Sequence, residues 1–158
     1  MSLAYKNLFF DLDGTLCSFP AHTCEGILSA PPVLMPHVRE TLAYLSARYH
    51  LYILSNGSRE IQTGKLRLAG LERYFRKIIV SEDIGVPKPR APIFHFALSA
   101  TQSQVKDSLM IGDSWEKDVE GAADIGMDQV FYDTERLGRM PFSPTYHIRD
   151  LKELMEVL

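Results

Sequence analysis

The sequence predicts an α/β fold in which a mostly parallel sheet is covered by helices on both faces. Short runs rich in β-branched and aromatic residues alternate with segments whose apolar residues recur at helical spacing. Glycine and proline mark the boundaries between these segments. The chain has 158 residues, 46% of them hydrophobic and 23% charged, which is enough for one domain, residues 1–158, with its own core.

The first predicted strand is the apolar run 7–10, which ends in two acids, Asp11 and Asp13, followed by Gly14. Side chains at positions i and i+2 of an extended chain point to the same side, so the two carboxylates converge. Their repulsion is costly unless a cation or a shared proton relieves it. This segment is therefore the first candidate functional site. The proline-punctuated residues 17–34 that follow are predicted to be a loop with at most one short hairpin.

The middle of the chain continues the alternation. Apolar residues recur at helical spacing after Pro36, which suits the first turn of a helix. The run 50–54 is a second buried strand that ends at Ser55. A helix over 59–69 follows, and Gly70 stands where a left-handed C-cap is expected.

The second half repeats the same pattern, with a loop around Lys88 held between two prolines. The predicted elements are a helical turn at 71–75, strands at 77–81, 108–112 and 129–132, an edge strand at 145–148, helices at 92–100 and 115–125, and a last helix capped by Asp150.

Polar residues follow one predicted strand after another. Asp11 and Asp13 follow the first strand, Ser55 the second and Asp113 the fourth, and Lys88 lies in the loop after the third. Alone, each has an ordinary explanation as a turn residue, an N-cap or a solvated side chain. In a parallel sheet, however, ligands bind where the carboxyl ends of the strands meet. The recurrence therefore indicates a catalytic or binding site.

These residues resemble the motifs of the haloacid dehalogenase superfamily, in the right order and over about the whole chain. The matching motifs are Asp11-x-Asp13-Gly14-Thr15, Ser55 after an apolar strand, Lys88 before a proline, and Gly112-Asp113-Ser114-x-x-x-Asp118. Residues 55–126 resemble the branch that includes small-molecule phosphatases and pyrimidine nucleotidases. The resemblance implies a three-layer, Rossmann-like α/β/α core and Mg²⁺-dependent phosphatase activity on phosphate monoesters through an aspartyl-phosphate.

The resemblance also implies a role for each acid. Asp11 would attack phosphorus, and Asp13 would protonate the leaving group and then activate water. Asp11, the backbone carbonyl of Asp13 and Asp113 would hold Mg²⁺. Asp118 would orient a water ligand or Lys88, although it could also be an ordinary residue on a helix face.

Donor groups would bind the transferred phosphoryl group. Ser55 and Lys88 are predicted to be catalytic together with the two acids of the first motif. The predicted substrate-binding residues are Gly14, Thr15, Asn56 and Gly57.

Residues 17–36 occupy the position where capped members of this branch insert a helical domain. About twenty proline-punctuated residues cannot enclose a helical core, and a helix and a strand fill the interval from Ser55 to Lys88. The chain is therefore predicted to be capless, by natural loss or by excision. Its site would be open to a phosphorylated small molecule or an exposed macromolecular phosphate, and a partner subunit could replace the lid.

Two other functions remain open. A haloacid dehalogenase needs neither a metal nor an acid at the position of Asp13, so Asp13 argues against that reaction. A non-enzymatic module with vestigial catalysis would be compatible with recent loss of a cap, although the intact motifs argue against degeneration.

Composition limits the partners and the compartment. The net charge of −3 and the lack of a Lys or Arg run give no support for a nucleic-acid groove, and no apolar stretch is long enough for a membrane span. Without a signal-peptide pattern, a cytoplasmic location is expected. Cys17 and Cys24 are predicted to be free thiols, with a local disulfide or half of a metal site as alternatives.

Overall fold

A computed structural model describes residues 4–19 and 31–158. The strands are β1 (Asn7–Phe10), β2 (Cys17–Ser18), β3 (Val33–Leu34), β4 (His50–Ser55), β5 (Lys77–Val80), β6 (Ser108–Gly112), β7 (Asp128–Tyr132) and β8 (Tyr146–Ile148). The α-helices are α1 (Val38–Ser46), α2 (Arg59–Leu68), α3 (Ala91–Ala100), α4 (Gly121–Asp124) and α5 (Leu154–Val157).

The main sheet has six parallel strands in the order β5-β4-β1-β6-β7-β8. The central strand β1 is buried along its whole length, as its apolar sequence predicts. Phe10 pairs with Ile53 of β4 on one side and with Ile111 of β6 on the other. This register brings the carboxyl ends of the three central strands to one edge, at the point where the chain reverses its direction across the sheet.

Helices cover both faces of this sheet. Leu8 and Phe10 pack into the core formed with α1, α2 and α5, whereas Phe9 packs into the core formed with α3 and α4. This alternation along β1 follows from the period of two in a strand. The predicted three-layer, Rossmann-like α/β/α architecture is confirmed.

The predicted helix over 115–125 takes a different form. A π-helical turn, Trp115–Glu120, precedes the short helix α4. The amides of Asp118 and Val119 both donate to the carbonyl of Ser114, at 3.0 and 3.3 Å, which widens the turn. The widened turn buries the Asp118 side chain beside β6.

The connections agree with most of the other predictions. Strands β2 and β3 pair in antiparallel orientation within the predicted loop 17–34. Asp150 caps the last helical segment by accepting a hydrogen bond from the amide of Lys152 at 2.9 Å, but that segment begins as a 3₁₀ turn, Leu151–Glu153, before α5. Among the described residues, no helix is both long and apolar enough to cross a lipid bilayer.

Only one of the two predicted free thiols, that of Cys17, lies among the described residues. Cys17 is a buried free thiol. Burial, reinforced by the Asp13 carboxylate, raises its pKa to about 12, so this thiol stays protonated and unreactive. Cys24 lies outside the described residues.

Candidate active site

The loops after the central strands enclose a pocket of about 220 Å³ at the carboxyl edge of the sheet. Its lining residues are Asp11, Asp13, Ser55, Asn56, Lys88, Asp113, Ser114 and Lys117. The structure therefore brings together the predicted catalytic residues and the predicted metal ligands. The parallel register of β4, β1 and β6 is the reason, because it ends three strands at the same height.

Three carboxylates lie close together at this pocket, two of them in its wall and one behind it. One oxygen each of Asp11, Asp113 and Asp118 lies within 4.8 Å of the others. Burial, together with the nearby Asp11 carboxylate, raises the pKa of Asp113 to about 6. Carboxylates this close to one another fit a site for a hard divalent cation, which prefers carboxylate and carbonyl oxygens.

Lys88 supplies the positive charge opposite these acids. Its ammonium group is fully buried and donates to Asp118 at 2.6 Å, to the Leu54 carbonyl at 2.9 Å and to Asp11 at 3.2 Å. Burial by itself would lower the pKa of Lys88, but the charges of Asp11 and Asp118 outweigh burial and raise it. Lys88 is therefore held protonated beside the predicted nucleophile.

Asp118 lies behind Lys88 rather than in the wall of the pocket. Its side chain is only 1% exposed, and it accepts hydrogen bonds from Lys88 and, at 3.1 Å, from the amide of Ser114. A residue on a solvated helix face would have neither contact. This geometry favours the predicted supporting role on Lys88.

The side chain of Asn56 makes a contact that sequence reasoning missed. Its carbonyl accepts from the Lys88 amide at 2.8 Å, and its NH₂ group donates to the Lys88 carbonyl at 3.1 Å. Asn56 thereby ties the loop after β5 to the end of β4. No sequence pattern marked this pair, because 32 residues separate the two positions.

Two residues of α2 donate hydrogen bonds to Asp13, and sequence reasoning missed both of them. Lys65 donates to its Oδ1 at 2.8 Å and Gln62 to its Oδ2 at 2.9 Å. The available signal was polar residues at core positions, because 62 and 65 share the helical stripe of the buried Leu66 and Ala69.

Three of the predicted substrate-binding residues already form hydrogen bonds within the protein. The Gly14 amide donates to the Cys17 carbonyl at 2.8 Å, and the Gly57 amide donates to the Ser81 hydroxyl at 2.9 Å. The Thr15 hydroxyl is buried, donates to Asp113 at 2.8 Å and accepts from the Asp113 amide at 3.0 Å. This geometry argues against direct phosphate contacts from all three and leaves the Asn56 amide as a prediction.

The importance of Gly14 lies in the space that it leaves. Its φ is +82°, a conformation that favours glycine, and a Cβ there would lie 2.5 Å from an Asp113 oxygen. Glycine therefore permits Asp113 to approach the first motif.

Comparison with known proteins gives a consistent picture. The sequence matches the family described as "Haloacid dehalogenase-like hydrolase" over residues 25–132. It is 34% identical over 121 residues to the HAD-hydrolase YfnB of Bacillus subtilis, covering 75% of this chain and 52% of YfnB. It is 33% identical over 112 residues to the pyrimidine 5'-nucleotidase PynA of Streptococcus pneumoniae, covering 70% and 47% of the two chains.

A third relative is the phosphoserine phosphatase of Thermus thermophilus, 34% identical over 105 residues, which cover 66% of this chain and 42% of that enzyme. The chain thus spans about half the length of the curated relatives that it matches.

Solved structures share the fold. A magnesium-bound structure of YfnB superposes with a TM-score of 0.86 at 22% identity, covering 99% of each chain. A 2-haloacid dehalogenase from Pseudomonas syringae superposes with a TM-score of 0.80 at 19% identity, covering 97% of each chain. At these identities the likeness concerns the fold alone.

Proposed function

This chain belongs to the haloacid dehalogenase-like hydrolase family, and from that premise we propose that it is a Mg²⁺-dependent phosphatase acting on phosphate monoesters. The observation that carries the proposal is one pocket that combines paired acids, a serine hydroxyl and a buried ammonium group. Relatives named as phosphatases and nucleotidases support the same reaction class.

The first step transfers the phosphoryl group to Asp11. A carboxylate oxygen of Asp11 attacks phosphorus, and the bond between phosphorus and the ester oxygen breaks. Lys88 contacts one oxygen of Asp11, at 3.2 Å, which leaves the other for the attack. The leaving oxygen takes a proton from Asp13, whose side chain is 44% exposed at the mouth of the pocket.

The second step returns the enzyme to its starting state. Asp13, now charged, takes a proton from water as the water oxygen attacks phosphorus of the aspartyl-phosphate. The bond between phosphorus and the Asp11 oxygen breaks, inorganic phosphate leaves and Asp11 is again a carboxylate. The proton that Asp13 gave to the alcohol is thus replaced by one from water.

The remaining groups stabilise charge on the phosphoryl oxygens. The Ser55 hydroxyl, the Asn56 amide and the Lys88 ammonium group are the donors. Asp11, the backbone carbonyl of Asp13 and Asp113 would hold Mg²⁺, which neutralises phosphoryl charge when bound.

We also propose that the chain is a single capless domain with an open site. Strands β2 and β3 pair with each other, and the 14 positions of sequence between Ser18 and Val33 are too few to enclose a helical core. An open site suits a phosphorylated small molecule or a phosphate exposed on a macromolecule, with a partner subunit as a substitute lid.

The dehalogenase alternative is less favoured. That reaction does not need an acid at position 13, whereas Gln62 and Lys65 of this protein are both devoted to the Asp13 carboxylate.

Phosphate release from p-nitrophenyl phosphate tests the proposal. We expect turnover in Mg²⁺, none in EDTA, and a loss of at least about a thousandfold in Asp11→Asn with the fold retained. Asp124→Asn, which changes an exposed acid of α4, is the matched control and should leave turnover unchanged. Substantial turnover in EDTA or in Asp11→Asn would contradict the proposal.

A further inference from the structure

Helix α2 carries two polar residues where its core-facing stripe should be apolar. Gln62 is 2% exposed and Lys65 is 6% exposed. Burying an ammonium group and an amide is costly unless both find partners. Their positions therefore need an explanation, and the phosphatase steps above do not use either residue.

Both side chains point to the catalytic pocket. Lys65 donates to one oxygen of Asp13 at 2.8 Å, and Gln62 donates to the other at 2.9 Å. The same Gln62 nitrogen donates to the Ser55 hydroxyl at 2.7 Å. One amide group thus joins the proposed proton donor to the proposed phosphate-binding hydroxyl, and the Lys65 ammonium lies 4.9 Å from the centre of the Phe19 ring.

We propose that Gln62 and Lys65 are positioning residues for phosphoryl transfer, an inference that rests on the proposed phosphatase function. Lys65 fixes the direction of the Asp13 carboxylate, and Gln62 fixes its separation from Ser55. A phosphate ester bound at Ser55 then presents its leaving oxygen to the protonated carboxyl group of Asp13, which the two donors hold in place.

The physical reason is the placement of Asp13. It lies beyond the end of β1, and its side chain is 44% exposed, so packing alone does not hold its rotamer. Donors on a helix are rigid, and a displacement of about 1 Å at a reacting group can cost roughly a hundredfold in rate.

A purely structural role would have a different signature. If the two residues act through proton delivery by Asp13, their loss should matter most when the leaving oxygen needs a proton. Ethyl phosphate releases a strongly basic alkoxide, whereas p-nitrophenyl phosphate releases a stable phenolate. A residue that only stabilises the fold would affect both esters equally.

The experiment compares kcat/KM for the two esters, because this ratio reports the step that breaks the ester bond. We expect Lys65→Met and Gln62→Leu to lose at least about tenfold more activity on ethyl phosphate than on p-nitrophenyl phosphate. Lys65→Arg should recover part of the loss. Arg67→Met removes a cation from the exposed side of the same helix and should change neither value.

A double variant checks that the effect passes through Asp13. In the Asp13→Asn background, Lys65→Met should cause no further loss on ethyl phosphate. Equal losses on the two esters, or an additional loss in that background, would overturn the inference while leaving the phosphatase proposal intact.

If the wild-type protein hydrolyses neither ester, the phosphatase proposal fails, and thermal unfolding then tests the present inference. The ion pair between Lys65 and Asp13 predicts that Asp13→Asn and Lys65→Met together lower Tm by less than the sum of the single changes. Simply additive shifts would overturn it.

Discussion

Lys88 is the residue whose loss should disturb the molecule most. Lys88→Met leaves the carboxylates of Asp11 and Asp118 without their buried counter-ion, which should lower the free energy of unfolding by about 3–5 kcal/mol. Urea unfolding measures this change. Adding Asp118→Asn removes one unpaired charge, so the double variant should be more stable than Lys88→Met. A destabilisation below about 1 kcal/mol would show that the ammonium is not the counter-ion of this cluster.

The matched control for that experiment is an exposed lysine with a single long-range partner. Lys6 lies 4.0 Å from Asp107 and its side chain is 74% exposed. Lys6→Met should change the free energy of unfolding by less than about 1 kcal/mol, because exposed ion pairs contribute little.

For single residues, the sequence predicted which side chains converge but not which atoms they contact. Asp11, Ser55 and Asp113 could be placed because each follows a recognisable strand. The partners of Gly14 and Gly57 could not, because a backbone amide leaves no sequence signal and is taken by whichever acceptor the loop brings near. Lys65 was missed because a lysine on a helix is usually solvated.

The π-helical turn Trp115–Glu120 depends on a glycine in the neighbouring strand. A Cβ at Gly112 would collide with the Asp118 carboxylate, which Lys88 and the Ser114 amide hold in place. We expect Gly112→Ala to lower the free energy of unfolding by about 1–3 kcal/mol through overpacking, and to reduce turnover because Lys88 loses its partner. Calorimetry and phosphate release measure the two effects.

Gly64→Ala is the control for this glycine. Gly64 lies within α2 and has nothing within 4 Å of the position a Cβ would take, so alanine should stabilise the helix by about 0.5–1 kcal/mol. An unchanged Tm and turnover in Gly112→Ala would mean that the turn can shift without cost.

Elements were predictable where periodicity was regular. Strand β1 and helix α2 were placed closely because apolar runs and a helical stripe are local signals. The widened turn before α4 was not, because its cause is the burial of Asp118 against a strand and a lysine distant in sequence. The division of the last helix into a 3₁₀ turn and α5 was missed for a similar reason, since both forms share the same apolar spacing.

For the whole molecule, the sequence predicted the class of sheet but not the order of its strands. Alternation of strands and helices implies a parallel sheet, but it does not say that β1 lies between β4 and β6. That order brings Asp113, which follows β6, next to Asp11, and it brings Ser55 at the end of β4 to the other side of Asp11. The fold therefore concentrates negative charge at one edge, and stability should depend on what neutralises it.

The metal-free protein should consequently become more stable as pH falls from about 7 to 5. Burial and Asp11 raise the pKa of Asp113 to about 6, above its ordinary value of 3.8, so the folded state binds more protons than the unfolded state between these values. Stability then decreases as pH rises through this window, by up to about 2 kcal/mol. Calorimetry in EDTA should show a higher Tm at pH 5.5 than at pH 7.5, and Asp113→Asn should reduce the difference. Burial also raises the pKa of Asp118, to about 7, so part of the difference should remain in this variant. Saturating Mg²⁺ at pH 7.5 should raise the Tm of the wild-type protein, because a cation that binds only the folded state stabilises it. A wild-type Tm that is independent of both pH and Mg²⁺ would mean that the acids at the end of the sheet carry no net repulsion for a cation to relieve.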